Sequence, residues 1–206
     1  MRRTIALTCL LPLLAGCVSV ELGGADAVPR CDAGVGVDRA SDPFGSSHAF
    51  SSPVVLMAQS VPTASMVPCV DALPPGWNFV RLDATEHGAR FWLSSDRNGE
   101  RAVQVAIDRV CDVRGAAESI SDQPGTTRFE RVDPVQSGYR GARYYRFDGG
   151  CVTYSFDLRG TADAQPVDAV SHALGFVTRD ALRRMVHDYS DGRFELDPTP
   201  TPVRSR

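Results

Sequence analysis

Lysine is absent from all 206 residues, so the 22 basic side chains are arginines without exception. This excludes a Ser-x-x-Lys nucleophile, and no Gly-x-Ser-x-Gly elbow, Walker loop or dinucleotide glycine fingerprint occurs either. A Ser, His and Asp set dispersed along the chain would leave no such local trace. Isoleucine and asparagine are scarce, and with the missing lysine they mark a GC-rich genome. They say nothing of function, because Arg and Lys differ physically only where planar, bidentate contacts are made. Cys-x-x-Cys is missing, which argues against a thioredoxin-like centre and a zinc knuckle. His48, His87, His172 and His187 are scattered, with none three or four residues from another, so they read as surface or turn residues and no metal site is expected. The acidic stretches Asp96 to Glu100 and Asp188 to Gly192 lack the Gly and final Glu that a calcium loop needs. Basic clusters are absent too: Arg128, Glu130, Arg131 and Asp133 alternate in sign, which excludes a nucleic-acid footprint and a polybasic membrane patch. No cofactor is expected.

A hydrophobic content of 43% with 23% charged residues is ordinary globular usage, and the length suits one domain with tails. Arg2 and Arg3 precede an apolar run from Ile5 to Leu14, the layout of a secretory signal. The run falls short of the roughly 20 apolar residues that span a bilayer. Leu14-Ala15-Gly16-Cys17 closes it, with small residues at the two positions before the cysteine. These seventeen residues resemble the signal and lipobox of bacterial lipoproteins. The resemblance implies that the thiol of Cys17 receives diacylglycerol and that the chain is then cleaved ahead of it, leaving an extracytoplasmic domain lipid-anchored to the cell membrane. Loss of Arg2 and Arg3 moves the net charge from −3 to −5. An ordinary secretory signal with a chance cysteine is the alternative. The twin-arginine route gains only the Arg pair.

Residues 1–16 are thus expected to be a signal peptide and 17–52, rich in Gly, Ala, Ser and Asp without a sustained period, a flexible lipid-anchored tether. A single α+β domain is expected over 53–196, and a disordered Pro/Thr tail over 197–206. Within the domain, Val54 to Met57 and the prolines after them predict ordered coil or an edge strand. Alternating residues before and after Asn98-Gly99 predict one hairpin, and Ala142 to Phe147 with Cys151 to Leu158 around Asp148-Gly149-Gly150 predict another. Thr126 to Val132 reads as a further strand. Val167, Val170, Leu174 and Val177 share one helical face, and Leu182, Met185, Val186 and Tyr189 repeat the pattern, with Thr178 as N-cap and Gly192 as stop. The expected fold is α+β: a mainly antiparallel sheet of about five or six strands from Trp77 to Leu158, covered by two C-terminal helices. His87 to Trp92 and Arg140 to Tyr145 share a Gly-Ala-Arg-aromatic-aromatic pattern, which similar strand-entry chemistry explains better than duplication.

Of six cysteines, Cys9 leaves with the signal and Cys17 carries lipid, so Cys31, Cys69, Cys111 and Cys151 remain. An even set in an oxidising compartment predicts two disulfides, and Cys31 with Cys69 and Cys111 with Cys151 is the favoured pairing of three. Cys111 continues the face of Val103, Val105 and Ile107, whereas Cys151 lies on the polar face of its strand, so the second pair needs a bulge or an end-of-strand crossing. Arg140, Arg143, Tyr144 and Tyr145 form the candidate contact surface, since Tyr and Arg dominate binding hot spots. Rings and guanidiniums covering an exposed strand are the plainer reading of the same residues.

Val67-Pro68-Cys69, Leu73-Pro74-Pro75-Gly76-Trp77 and Gly149-Gly150-Cys151-Val152-Thr153-Tyr154 resemble uncharacterised lipoproteins of high-GC Gram-positive bacteria, a resemblance that implies no activity. The expected function is a non-catalytic binding or accessory module of the envelope, held to the membrane by the lipid on Cys17 and contacting an envelope protein, a polymer or a small ligand. The alternative is an envelope hydrolase with a dispersed active site.

Overall fold

The computed structural model describes residues 20–23, 28–32, 52–160 and 165–196. The expected signal peptide, Cys17, most of the tether and the tail over 197–206 lie outside the described residues.

The fold is α+β with antiparallel pairing throughout its named strands. In chain order the elements are β1 (Val20–Gly23), α1 (Pro53–Ser60), β2 (Met66–Val70), β3 (Trp77–Thr85), β4 (Gly88–Ser95), β5 (Gly99–Asp108), β6 (Ala117–Ser119), β7 (Thr127–Asp133), β8 (Tyr139–Phe147), β9 (Gly150–Leu158), α2 (Gln165–His172), β10 (Leu174–Thr178) and α3 (Arg179–Tyr189). Eight strands form the main sheet in the order β1-β3-β4-β5-β9-β8-β7-β6, and β10 pairs with β2 in a small second sheet. The two hairpins expected at Asn98-Gly99 and Asp148-Gly149-Gly150 join β4 to β5 and β8 to β9. Gly149 adopts φ +71°, and a Cβ there would run into the carbonyl oxygen of Thr63, so that turn requires glycine.

Four expectations are corrected. Seven strands, not five or six, lie between Trp77 and Leu158, because β6 has only three residues and too little alternation to be read. Pro53–Ser60 is a helix rather than coil or strand: proline suits the first helical turn, and Val54, Met57 and Ala58 at helical spacing are all buried. The helical reading of Leu174 and Val177 fails because Gly175 and the Phe-Val-Thr run favour a strand, and β2 offers a partner register. Lastly, two stretches of the expected tether belong to the domain. Val20–Gly23 adds to the free edge of β3, and the 28–32 stretch docks on β2 through Cys31 N–H to Val70 O (3.2 Å) and Val70 N–H to Pro29 O (2.7 Å).

One face of the main sheet carries Leu82, Phe91, Leu93, Val103, Val105, Ile107, Val152, Tyr154, Phe156 and Leu158, all buried. Each such side chain removed from water contributes roughly 1.5–3 kcal/mol. Helix α1 and strand β2 pack over this face. Phe176 of β10 wedges against Tyr145, Phe147 and Tyr154, with ring centroids 5.3 to 6.3 Å apart. Thr178 caps α3 by accepting from the N–H of Ala181. Arg179, only 2% exposed, donates to the carbonyls of Ala58 (2.8 Å) and Val61 (3.5 Å), placing a cation at the negative end of α1 and tying the two helices together.

Cys31 is joined to Cys69 and Cys111 to Cys151, with Cα atoms 4.8 and 5.7 Å apart. The facing problem of the second pair is solved by an end-of-strand crossing: β5 stops at Asp108, and the chain then turns across the sheet's second face, towards which Cys151 points.

Candidate functional site

Strand pairing fixes what the second face presents. Opposite residues in an antiparallel pair point the same way, so the pairs Arg81–Trp92, Trp92–Gln104, Gln104–Ser155, Ser155–Ala142 and Ala142–Arg131 run as one row across β3, β4, β5, β9, β8 and β7. A second row, Asp157–Arg140–Asp133, lies beside it. All of these except Arg81, together with Arg101, line a groove of about 300 Å³.

Trp92 is its centre. The Arg81 guanidinium lies 4.8 Å from the ring centroid and that of Arg101 5.9 Å, while the indole N–H donates to Gln104 Oε1 at 3.1 Å. The indole is therefore engaged by two cations and an amide. Arg101 is exposed and takes φ +53°, an unusual backbone setting for a residue with a side chain, and it sets the guanidinium at the groove's rim. The carboxylates are paired: Asp133 accepts from Arg131 at 2.8 Å, and Asp157 pairs with Arg140 at 3.4 Å. The groove offers a π-surface, guanidinium forks and amide and hydroxyl groups, a set suited to stacking and multiple hydrogen bonds.

Another part of the second face is roofed. Ala142, Tyr144 and Cys151 are buried beneath Cys111, Val113 and Ala116, with Phe129 alongside, and Cys111 Sγ lies 3.2 Å from Thr153 Oγ1. The disulfide holds this cover in place.

The candidate contact surface divides between the faces. Arg140 and Tyr144 point to the second face, and Arg143 and Tyr145 to the core face, because residues alternate along β8. Both line the groove, Arg140 with a half-exposed side chain and Tyr144 buried at the edge of the cover. Arg143 ion-pairs with Glu130 and with Asp168 of α2, both at 2.7 Å. The Tyr145 hydroxyl donates to Asp122 at 3.2 Å, and burial, reinforced by the Asp122 charge, pushes it up to about 12. The four residues do not make one surface. Sequence reasoning missed Trp92, Arg101, Gln104, Arg131 and Asp157. Their signal was the polar register of neighbouring strands, visible only once the pairing is fixed.

His87, His172 and His187 stand on the β3–β4 turn, on α2 and on α3, and none lines the groove. Among the described residues no cluster of three or more His, Cys, Asp or Glu side chains is placed to hold a metal, and no helix is long and apolar enough to cross a membrane. No family model matches the chain, and neither a curated protein nor a solved structure shows significant similarity to it.

Proposed function

We propose that the chain is an extracytoplasmic lipoprotein, anchored to the cell membrane through Cys17, whose domain is a non-catalytic binding or accessory module of the envelope. The groove around Trp92 carries the binding part of this reading: an indole with two guanidiniums close by can grip a ligand, while Asp133 and Asp157 are already engaged by arginine. The anchor part is supported by Leu14-Ala15-Gly16-Cys17 and by the two cysteine bridges, which belong to an oxidising compartment. The hydrolase alternative gains no observation from the described residues, whose histidines stand on separate elements away from the groove.

Intact mass of the protein taken from a membrane fraction tests the anchor. A diacylglyceryl mass on a chain starting at Cys17, lost in Cys17→Ala, is expected, and an unlipidated chain in the medium would refute it. A photoreactive residue at Gln104 tests the groove in living cells. It is expected to trap an envelope component that Trp92→Ala releases, and trapping indifferent to Trp92 would sink the assignment.

A further inference from the structure

The distance from the lipid to the fold is set by very little chain. Only Val18 and Ser19 separate Cys17 from Val20, the first residue of β1. At roughly 3.3–3.6 Å per residue, three extended steps reach about 10 Å. If Cys17 is lipidated, as proposed above, the Val20 end of β1 is confined to the headgroup region, and no long tether lifts the domain away.

Register shows which end of the molecule that is. One unbroken row crosses all eight strands: Val20 pairs with Ala84, Ala84 with Ala89, Ala89 with Ile107, Ile107 with Val152, Val152 with Tyr145, Tyr145 with Arg128 and Arg128 with Ser119. Beyond that row, on the anchor side, the chain makes the turn at Glu86 and His87, leaves β5 at Arg109 and Val110, turns at Asp148 and Gly149, and leaves β6 at Ile120. Val110 and Ile120 are 81% and 90% exposed, more than any other large apolar side chain among the described residues. Both stand at the end of the sheet from which β1 starts. Charges there are acidic on balance, with Glu86, Asp108, Asp122 and Asp148 against Arg109 and Arg146, so attraction to acidic lipids is not what orients the domain.

We infer that the domain stands end-on on the bilayer that holds its own anchor, with Val110 and Ile120 dipping into the headgroup boundary and the Trp92 groove held clear of it. The anchor supplies the attachment, and the two apolar tips select the orientation. Arg101 lies six residues along β5 from Ile107, about 20 Å at the strand rise. The rim of the groove therefore faces envelope components above the headgroups rather than lipid.

The test uses the lipidated protein in vesicles of phosphatidylethanolamine and phosphatidylglycerol, with benzoylphenylalanine replacing Val110, Ile120, Val132 or Val135 in turn. All four sites are exposed, and the last two lie at the opposite end of the sheet, beside Asp133. After irradiation, lipid adducts are expected to be several-fold more abundant at 110 and 120 than at 132 and 135. Equal yields at both ends, on a chain whose mass shows the diacylglyceryl group at Cys17, would overturn the orientation alone. A chain lacking that group would overturn the lipoprotein reading, and the orientation with it.

Discussion

The two faces of the main sheet are made by the same strands and held in different ways. The core face is covered by α1, the β2–β10 sheet and the C-terminal helices, and along β4, β5 and β9 it carries only apolar residues at Ala89, Phe91, Leu93, Val103, Val105, Ile107, Val152, Tyr154, Phe156 and Leu158. The second face is a lattice of arginine and carboxylate pairs around Trp92, roofed over one part by the segment that follows β5. Tyr145 and Tyr144, neighbours in β8, are 1% and 6% exposed, one beneath Phe176 and the other beneath the disulfide-held cover. Burial alone therefore does not identify the core. One face is closed by many contacts and the other by a small packed cover and one cross-link, and only the second leaves part of itself open.

Truncation on either side breaks the comparison most directly. Phe156→Ala is expected to cost about 3–5 kcal/mol, through lost transfer free energy and a cavity. Trp92→Ala is expected to cost within about 1 kcal/mol, since that ring is partly exposed and loses mainly its cation contacts. Chemical denaturation followed by circular dichroism measures both. Equal losses would show that the groove face is as much a part of the core as its opposite.

The disulfides sharpen the contrast because their spans nearly match, at 38 and 40 residues. Opening either one releases almost the same unfolded-state entropy, of order 4 kcal/mol. Any difference between the Cys31→Ser/Cys69→Ser and Cys111→Ser/Cys151→Ser proteins then reports native packing. The second pair is expected to be the less stable protein and to lose amide protection over 109–119, while the first keeps it. Hydrogen exchange resolves the two, and protection retained over 109–119 without Cys111 would show that the roof packs by itself.

Period-2 alternation made the core face legible: Phe91 and Leu93, Val103 to Ile107 and Val152 to Leu158 could be assigned before any pairing was known. Helix α3 was legible for the same kind of reason, with its cap at Thr178 and its stop at Gly192, where the glycine N–H reaches the carbonyl of His187. The groove was not. A row such as Trp92, Gln104, Ser155, Ala142 and Arg131 exists only when five strands are in register, and no local pattern in one strand encodes its neighbours. The same limit explains Arg140 to Tyr145: the residue types were noticed, but alternation in β8 sends them to opposite faces. Strand β1 escaped because its stability lies in the open edge of β3, a property of the assembled sheet.

Alkaline pH provides a smaller test of the closed face. Burial raises Tyr145 to about 12 and Tyr154 well above the usual tyrosine range, with the Asp122 charge adding to the shift of Tyr145. Groups raised in the folded state favour folding below the unfolded value near 10, and that contribution disappears as pH rises through the folded value. For Tyr145 the loss is about 3 kcal/mol between roughly pH 10 and 12. Denaturation midpoints should therefore fall steeply across that window, and less steeply in Tyr145→Phe. An unchanged slope in the variant would show that the hydroxyl is not closed off from water.

The smallest expected effect lies at the margin of the second face. Asp108, at the end of β5, is raised above the ordinary carboxylate range, chiefly because burial disfavours its charge, with Arg90 partly offsetting that. Its Oδ1 occupies the space that a Cβ on Gly88 would need, so the carboxylate lies directly against the neighbouring strand. A raised folded-state value means that the group's contribution is fully present in acid and is lost as pH rises through that value, leaving the ionised side chain unfavourable at neutrality. Asp108→Asn keeps the shape and removes the charge. It is expected to be slightly more stable than the parent at pH 7 and no more stable below the unfolded carboxylate value of about 4. A variant less stable at pH 7 would mean that the attraction to Arg90 outweighs burial, and that the charged lattice around the groove reaches the Val20 end of the sheet as a net stabiliser.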